Sequence, residues 1–131
     1  MAAETTAVAP SNKLRWTGRI ISGLIVLFLL STSIYGITNA AKLAPQAAKY
    51  GYPEGAMLKI QITCIICALL YAFPRTAILG AILLTGYLGG ATSTHVRASE
   101  PFFFPILVAV LAWGAIFLRD ERLRALLPLR R

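Results

Sequence analysis

Four stretches of the chain carry no charged side chain. They run from Ile20 to Ala41, Ile60 to Pro74, Thr76 to Val96 and Pro101 to Leu118, at 22, 15, 21 and 18 residues. A helix that crosses a bilayer needs about 20 mostly apolar residues, within a range of about 17–25. The second stretch reaches that range when it starts at Ala56 and Lys59 either snorkels to the headgroups or faces protein. Open strands are excluded, because lipid leaves unpaired backbone groups unsatisfied. The pattern predicts an all-α fold, a transmembrane four-helix bundle with helices near 16–41, 56–73, 76–96 and 102–119. A cleaved signal peptide is the alternative for the first stretch. Its uncharged run is longer than the usual signal core, which favours an uncleaved helix.

The breakers set the connections. Phe73-Pro74-Arg75-Thr76 leaves room for a tight antiparallel turn, and Pro74 ends the helix before it. Residues 42–55 form the longest loop, broken by Pro45, Gly51 and Pro53, and residues 95–101 join the last two spans. The order is up-down. Residues 1–12 are small and polar and are predicted to be disordered. Residues 13–118 form the membrane domain, and residues 119–131 a basic tail.

Composition agrees. Hydrophobic residues make up 57% and charged residues 14%, with a mean hydropathy of +0.69, against about 45–50% and about 25% in a soluble domain. Too few charges remain to coat a soluble monomer in water. The net charge of +8 does not point to nucleic acid, because the cations flank apolar spans. Lys13, Arg15, Arg19, Arg75, Arg119, Arg122, Arg124, Arg130 and Arg131 fall on one side of the four spans, and Lys42, Lys49, Lys59 and Arg97 on the other. The positive-inside rule puts the larger set, and both termini, in the cytoplasm. Its cations suit anionic lipid headgroups.

Polar residues inside the spans are costly and usually face protein or a cavity. Ser31, Tyr35, Thr38, Asn39 and Lys42 share one face of the first helix, and Lys59, Thr63, Cys67 and Tyr71 follow i+4 steps on the second. Thr92, His95 and Arg97 close the third. The up-down order brings these sets to the outer side. They predict an outward polar pocket in which Tyr35, Asn39, Lys59, Thr63, Thr92, His95 and Arg97 bind a ligand with carbonyl or anionic oxygens, a quinone or a lipid-like molecule. The same groups also suit interhelical hydrogen bonds with no ligand, at about 0.6 kcal/mol each.

Cys64 and Cys67 have redox spacing, but they lie mid-helix in apolar surroundings that suppress the thiolate. No nucleotide-binding, serine-hydrolase or metalloprotease motif occurs, His95 has no zinc partners, and no carboxylate pair is placed for acid–base work. No catalytic residue and no metal site is assigned. Ala77, Ala81, Thr85 and Gly89 form a row of small residues, with Gly86 and Gly90 beside it, which suits close packing within the chain or in a homo-oligomer.

Several segments resemble one bacterial family. Arg15-Trp16-Thr17-Gly18-Arg19-Ile20, Gly51-Tyr52-Pro53-Glu54, the stretch from Pro74 to Ala91, His95-Val96-Arg97 and the stretch from Leu118 to Pro128 look like those of DoxX-like proteins. The resemblance implies a multi-pass protein of the bacterial inner membrane. It also implies kinship with DoxX/DoxD proteins, named for a membrane subunit of a thiosulfate:quinone oxidoreductase. Family members often carry an acidic residue late in the first helix, whereas residues 31–39 here hold none. Three functions stay open: a non-catalytic subunit that binds a quinone or lipid-like ligand beside a membrane or soluble redox partner, a structural accessory protein without a ligand, and a redox enzyme using Cys64 and Cys67.

Overall fold

The computed structural model describes residues 12–126, and every regular element among them is helical. The chain forms α1 (Asn12–Thr38), α2 (Ala40–Lys49), α3 (Ala56–Ala72), α4 (Ala77–Arg97), α5 (Phe103–Arg119) and α6 (Glu121–Leu126). A short 3-10 turn, Pro74–Thr76, joins α3 to α4, and Thr76 Oγ1 donates to the Leu70 carbonyl at 2.7 Å. Apart from Asn12, the segment expected to be disordered lies outside the described residues, as does the tail beyond Leu126.

One expectation changes. The stretch from 42 onward, read as loop, is helical to Lys49, with Pro45 inside the helix. Its sequence, AAKLAPQAAK, is rich in alanine, the strongest helix former. The break falls at Asn39, with φ −116° and ψ 31°, so α2 continues α1 at a bend.

The four long helices pack in a closed order, α1 against α3, α3 against α4, α4 against α5 and α5 against α1. Ser22 meets Tyr71, while Gly36 lies against Gln61, so α1 and α3 run in opposite directions. Gly18 faces Ala115, and the Phe28 and Phe104 rings meet edge-on at 5.4 Å, so α1 and α5 are antiparallel too. Trp113 Nε1 donates to Thr85 Oγ1 at 2.7 Å between α5 and α4.

The interior holds Ile25, Leu29, Ala68, Tyr71, Leu84, Leu88, Ala112 and Ile116. The outside is apolar as well. Leu24, Leu27, Ile62, Ile66, Leu83 and Val110 are all exposed, a surface far larger than a water-soluble monomer tolerates. Two helical segments, Lys13–Thr38 and Pro74–Arg97, are long and apolar enough to cross a membrane, and their most apolar windows are just 22% and 28% buried. A core helix of a soluble protein would be largely covered. Helices α3 and α5 are apolar with 17 residues each, about 26 Å by helical rise.

Close approach replaces hydrophobic drive as the packing device. A Cβ on Gly80 would strike the backbone of Leu70 and Tyr71, and one on Gly18 would lie 2.6 Å from the Ala115 carbonyl. Gly86, Gly89 and Gly90 instead meet nothing within 4 Å, so that part of the small-residue stripe is not used inside the chain. Tyr71 is fully buried, and its hydroxyl donates to the Ala112 carbonyl at 2.7 Å and accepts from Ser22 Oγ at 3.1 Å. One side chain thereby ties α1, α3 and α5 together.

Replacing Gly80 by leucine should lower the midpoint of thermal unfolding in detergent far more than replacing Gly86 by leucine, because only the first side chain meets backbone. Tyr71→Phe should cost about 1–3 kcal/mol, the expense of leaving a buried hydroxyl at Ser22 without its partner.

Candidate functional site

The α2 end of the molecule is organised by a clasp between the first connection and the end of α4. Ser99, at φ 57°, turns the chain so that Glu100 faces back toward α2. Lys49 Nζ donates to Glu100 Oε2 at 2.9 Å, and the Tyr50 hydroxyl donates to Glu100 Oε1 at 2.8 Å. Arg97 donates to the Tyr50 carbonyl at 2.7 Å, the Tyr50 and His95 rings lie 6.1 Å apart, and the Tyr52 hydroxyl bonds Thr94 Oγ1. Glu100 is held below the usual carboxylate range by the Lys49 hydrogen bond first and the Tyr50 hydroxyl second. Lys49 is raised, chiefly by its hydrogen bond to Glu100. Tyr50 is raised by burial and then by its bond to Glu100. The ion pair is open to water, so it positions α2 more than it adds stability.

Beside the clasp lies a cavity of about 450 Å³ between the end of α1, α2 and the start of α3. Its walls include Ile37, Leu43, Ala44, Ala47, Met57 and Leu58, with Tyr52 and Gln61 among its polar residues. Its size falls within the range of small-molecule sites, about 300–1,000 Å³. The half-buried Gln61 lines it, and its side-chain amide makes no hydrogen bond among the described residues. A free amide beside apolar walls offers both a donor and an acceptor.

The residues expected to form one pocket do not meet there. His95 and Arg97 join the clasp, and Thr92 donates to the Leu88 carbonyl of its own helix. Tyr35, Lys59 and Thr63 are exposed, and Thr63 donates to the Lys59 carbonyl. Asn39 Nδ2 donates to the Tyr35 carbonyl and to Thr38 Oγ1. None of the seven lines the cavity. The polar face of α1 is real but points away from the packed face, which runs Ser22, Ile25, Leu29 and Ser33. Gln61 is the residue that the sequence pattern underrated. Its signal was an uncharged amide in the first turns of an otherwise apolar span. Cys64 and Cys67 are free and buried.

The model of the DoxX-like family matches residues 20–116. The chain belongs to the DoxX-like family. No curated protein and no solved structure matches it. The family match runs from the first charge-free stretch of α1 to the last turn of α5. It therefore takes in the clasp, the cavity and the Tyr71 node. The family makes this a membrane protein, and the apolar outer surface agrees with it.

The clasp has a pH window. Glu100 is depressed in the folded chain, so its contribution is present above its unfolded value and disappears as pH falls through the folded one. Lys49 is raised, so its contribution is full below its unfolded value and disappears as pH rises through the folded one. A spin label on Ala48 should become more mobile below the usual carboxylate range and in strongly alkaline solution. In Glu100→Gln the label should be mobile throughout, and an unchanged spectrum would show that the ion pair does not hold α2.

Proposed function

We propose that this DoxX-like protein crosses the bacterial inner membrane four times as an up-down bundle with both termini in the cytoplasm. In this reading it is a non-catalytic subunit that holds a quinone or lipid-like molecule in the cavity beside α2. The cavity carries the reading, with apolar walls and the unspent amide of Gln61. A molecule with a long apolar body and a carbonyl head matches both features. The apolar body takes the alanine- and leucine-lined wall, and the head oxygen accepts from the Gln61 amide. Kinship with a membrane subunit of a quinone-linked oxidoreductase supports a redox partner beside it. Lys42 and Lys59, on the outward faces, sit where basic side chains anchor spans at the headgroups.

Organic extraction of protein purified in mild detergent should yield bound quinone or isoprenoid lipid. Gln61→Leu should lower that yield about tenfold, the value of one buried hydrogen bond of about 1.4 kcal/mol. Ala44→Trp, which fills the cavity, should lower it further while the unfolding midpoint stays near that of the unaltered protein. Equal yields from all three proteins would remove the binding function. A periplasm-dependent reporter fused after Arg131 should be inactive, and a cytoplasm-dependent one active.

The alternative of a structural accessory protein draws on one observation. Thr63, Thr85, Thr92 and Thr94 each donate to a carbonyl four residues back in their own helix, so those hydroxyls are spent without a ligand. Protein that carries no extractable ligand would favour it.

A further inference from the structure

At the end of the molecule opposite the clasp, five arginines gather around the α3–α4 turn. A cavity of about 200 Å³ is lined by Arg15, Arg19, Pro74, Ala77, Ile116, Arg119 and Asp120. A wider one beside it, of about 700 Å³, adds Arg75, Glu121 and Arg122. Among the described residues, no carboxylate lies within 4.0 Å of any of these guanidinium groups. One carboxylate oxygen of Asp120 is already engaged, because its Oδ1 accepts from the backbone of Arg122 at 2.9 Å and of Leu123 at 3.4 Å. Arg119 is steadied instead by the face of Tyr71, 6.0 Å from its ring centre, and Arg19 by Trp16 at 5.6 Å. Five cations against two acids form a site for an anion. Guanidinium groups are the side chains best shaped to bind phosphate oxygens in pairs.

The small arginine cavity continues into an apolar groove. Arg19, Pro74 and Arg119 line both, and the groove runs on along α1 past Ser22, Gly23, Val26, Leu27 and Leu30. From Arg19 to Leu30 a helix rises about 16 Å. One leaflet of hydrocarbon is about 15 Å deep, half of about 30 Å. Arg19 and Arg119 directly border charge-free stretches, which sets the guanidinium groups at headgroup depth and the groove at acyl-chain depth. A Cβ on Gly23 meets nothing within 4 Å, so the absent side chain leaves the groove open without serving helix contact.

We propose that this end is a binding site for one anionic phospholipid, with its phosphodiester between Arg15, Arg19 and Arg119 and one acyl chain in the Gly23–Leu30 groove. The proposal rests on the membrane reading above but not on the quinone cavity at the other end. Phosphatidylglycerol supplies the required chemistry of a phosphodiester without a compensating ammonium. Zwitterionic phosphatidylcholine matches the groove but not the arginines. Free phosphate matches the arginines but not the groove.

The test is native mass spectrometry of the full chain, released from micelles containing equal amounts of phosphatidylglycerol and phosphatidylcholine. The expected result is retention of one phosphatidylglycerol at least tenfold over phosphatidylcholine. Arg19→Gln with Arg119→Gln should abolish that preference, and Arg97→Gln, at the far end, should leave it intact. Gly23→Leu blocks the groove without removing a charge, so it decides the matter even where the double arginine variant fails to fold. It should cut retention of phosphatidylglycerol several-fold. Equal retention of the two lipids would overturn the proposal, as would full retention in Gly23→Leu. Displacement of the lipid by equimolar inorganic phosphate would also overturn it, since an anion site alone would then explain the binding. The quinone content of the same samples reads the other cavity separately, so loss of one site does not count against the other.

Discussion

The buried hydroxyl of Tyr71 holds three helices through two hydrogen bonds, and it does so where apolar burial cannot. When the outer face of a helix meets lipid tails as greasy as its inner face, burying leucine against leucine yields little free energy. Association must come from close backbone approach and from polar contacts that lipid cannot offer. Tyr71 supplies the polar contact between α1, α3 and α5, while Gly80 brings α4 hard against α3 at the same turn. Arg119 lies over the Tyr71 ring, so the node also orients a cation at the end of α5.

The two ends of the molecule are built on different rules. At the arginine end, α3 and α4 turn within a few residues and leave guanidinium groups pointing at a shallow basin. At the other end, the longer connection folds as a helix of its own and is fastened by Lys49, Tyr50, Arg97 and Glu100. The contacts at that edge are exposed polar ones, whereas those in the middle are buried. Local opening draws on the least stable contacts first, and here those are the solvent-screened ones beside the cavity.

The polar positions show why a one-dimensional pattern does not fix which side chains come together. Lys59, Thr63, Cys67 and Tyr71 step by four, yet each such step turns about 40° round the helix, so three steps turn about 120°. Lys59 and Thr63 therefore stand exposed while Cys67 and Tyr71 are buried. On α1 the error is one of rotation. Ser31, Tyr35 and Thr38 do share a face, but Gly18, Ser22 and Ser33 fix the opposite face inward. Threonines add to the ambiguity, because a hydroxyl bonded to its own helix looks in sequence the same as one aimed at a ligand.

What the chain alone determined is the helical content, the tight turn at Pro74 and the gathering of Arg15, Arg19, Arg75, Arg119 and Arg122 at one end. Each follows from local chemistry: the cost of an unpaired backbone in lipid, the missing N–H of proline, the cost of charge in hydrocarbon. The resemblance to the DoxX-like family was legible for the same reason, since its motifs are contiguous. Which side of each helix faces inward, the Gln61 cavity and the meeting of Tyr71 with Ser22 and Ala112 were decided by tertiary structure. These depend on the rotation of each helix about its axis. A small residue on one helix sets that rotation by what it lets the neighbouring helix reach, and no single segment carries that information.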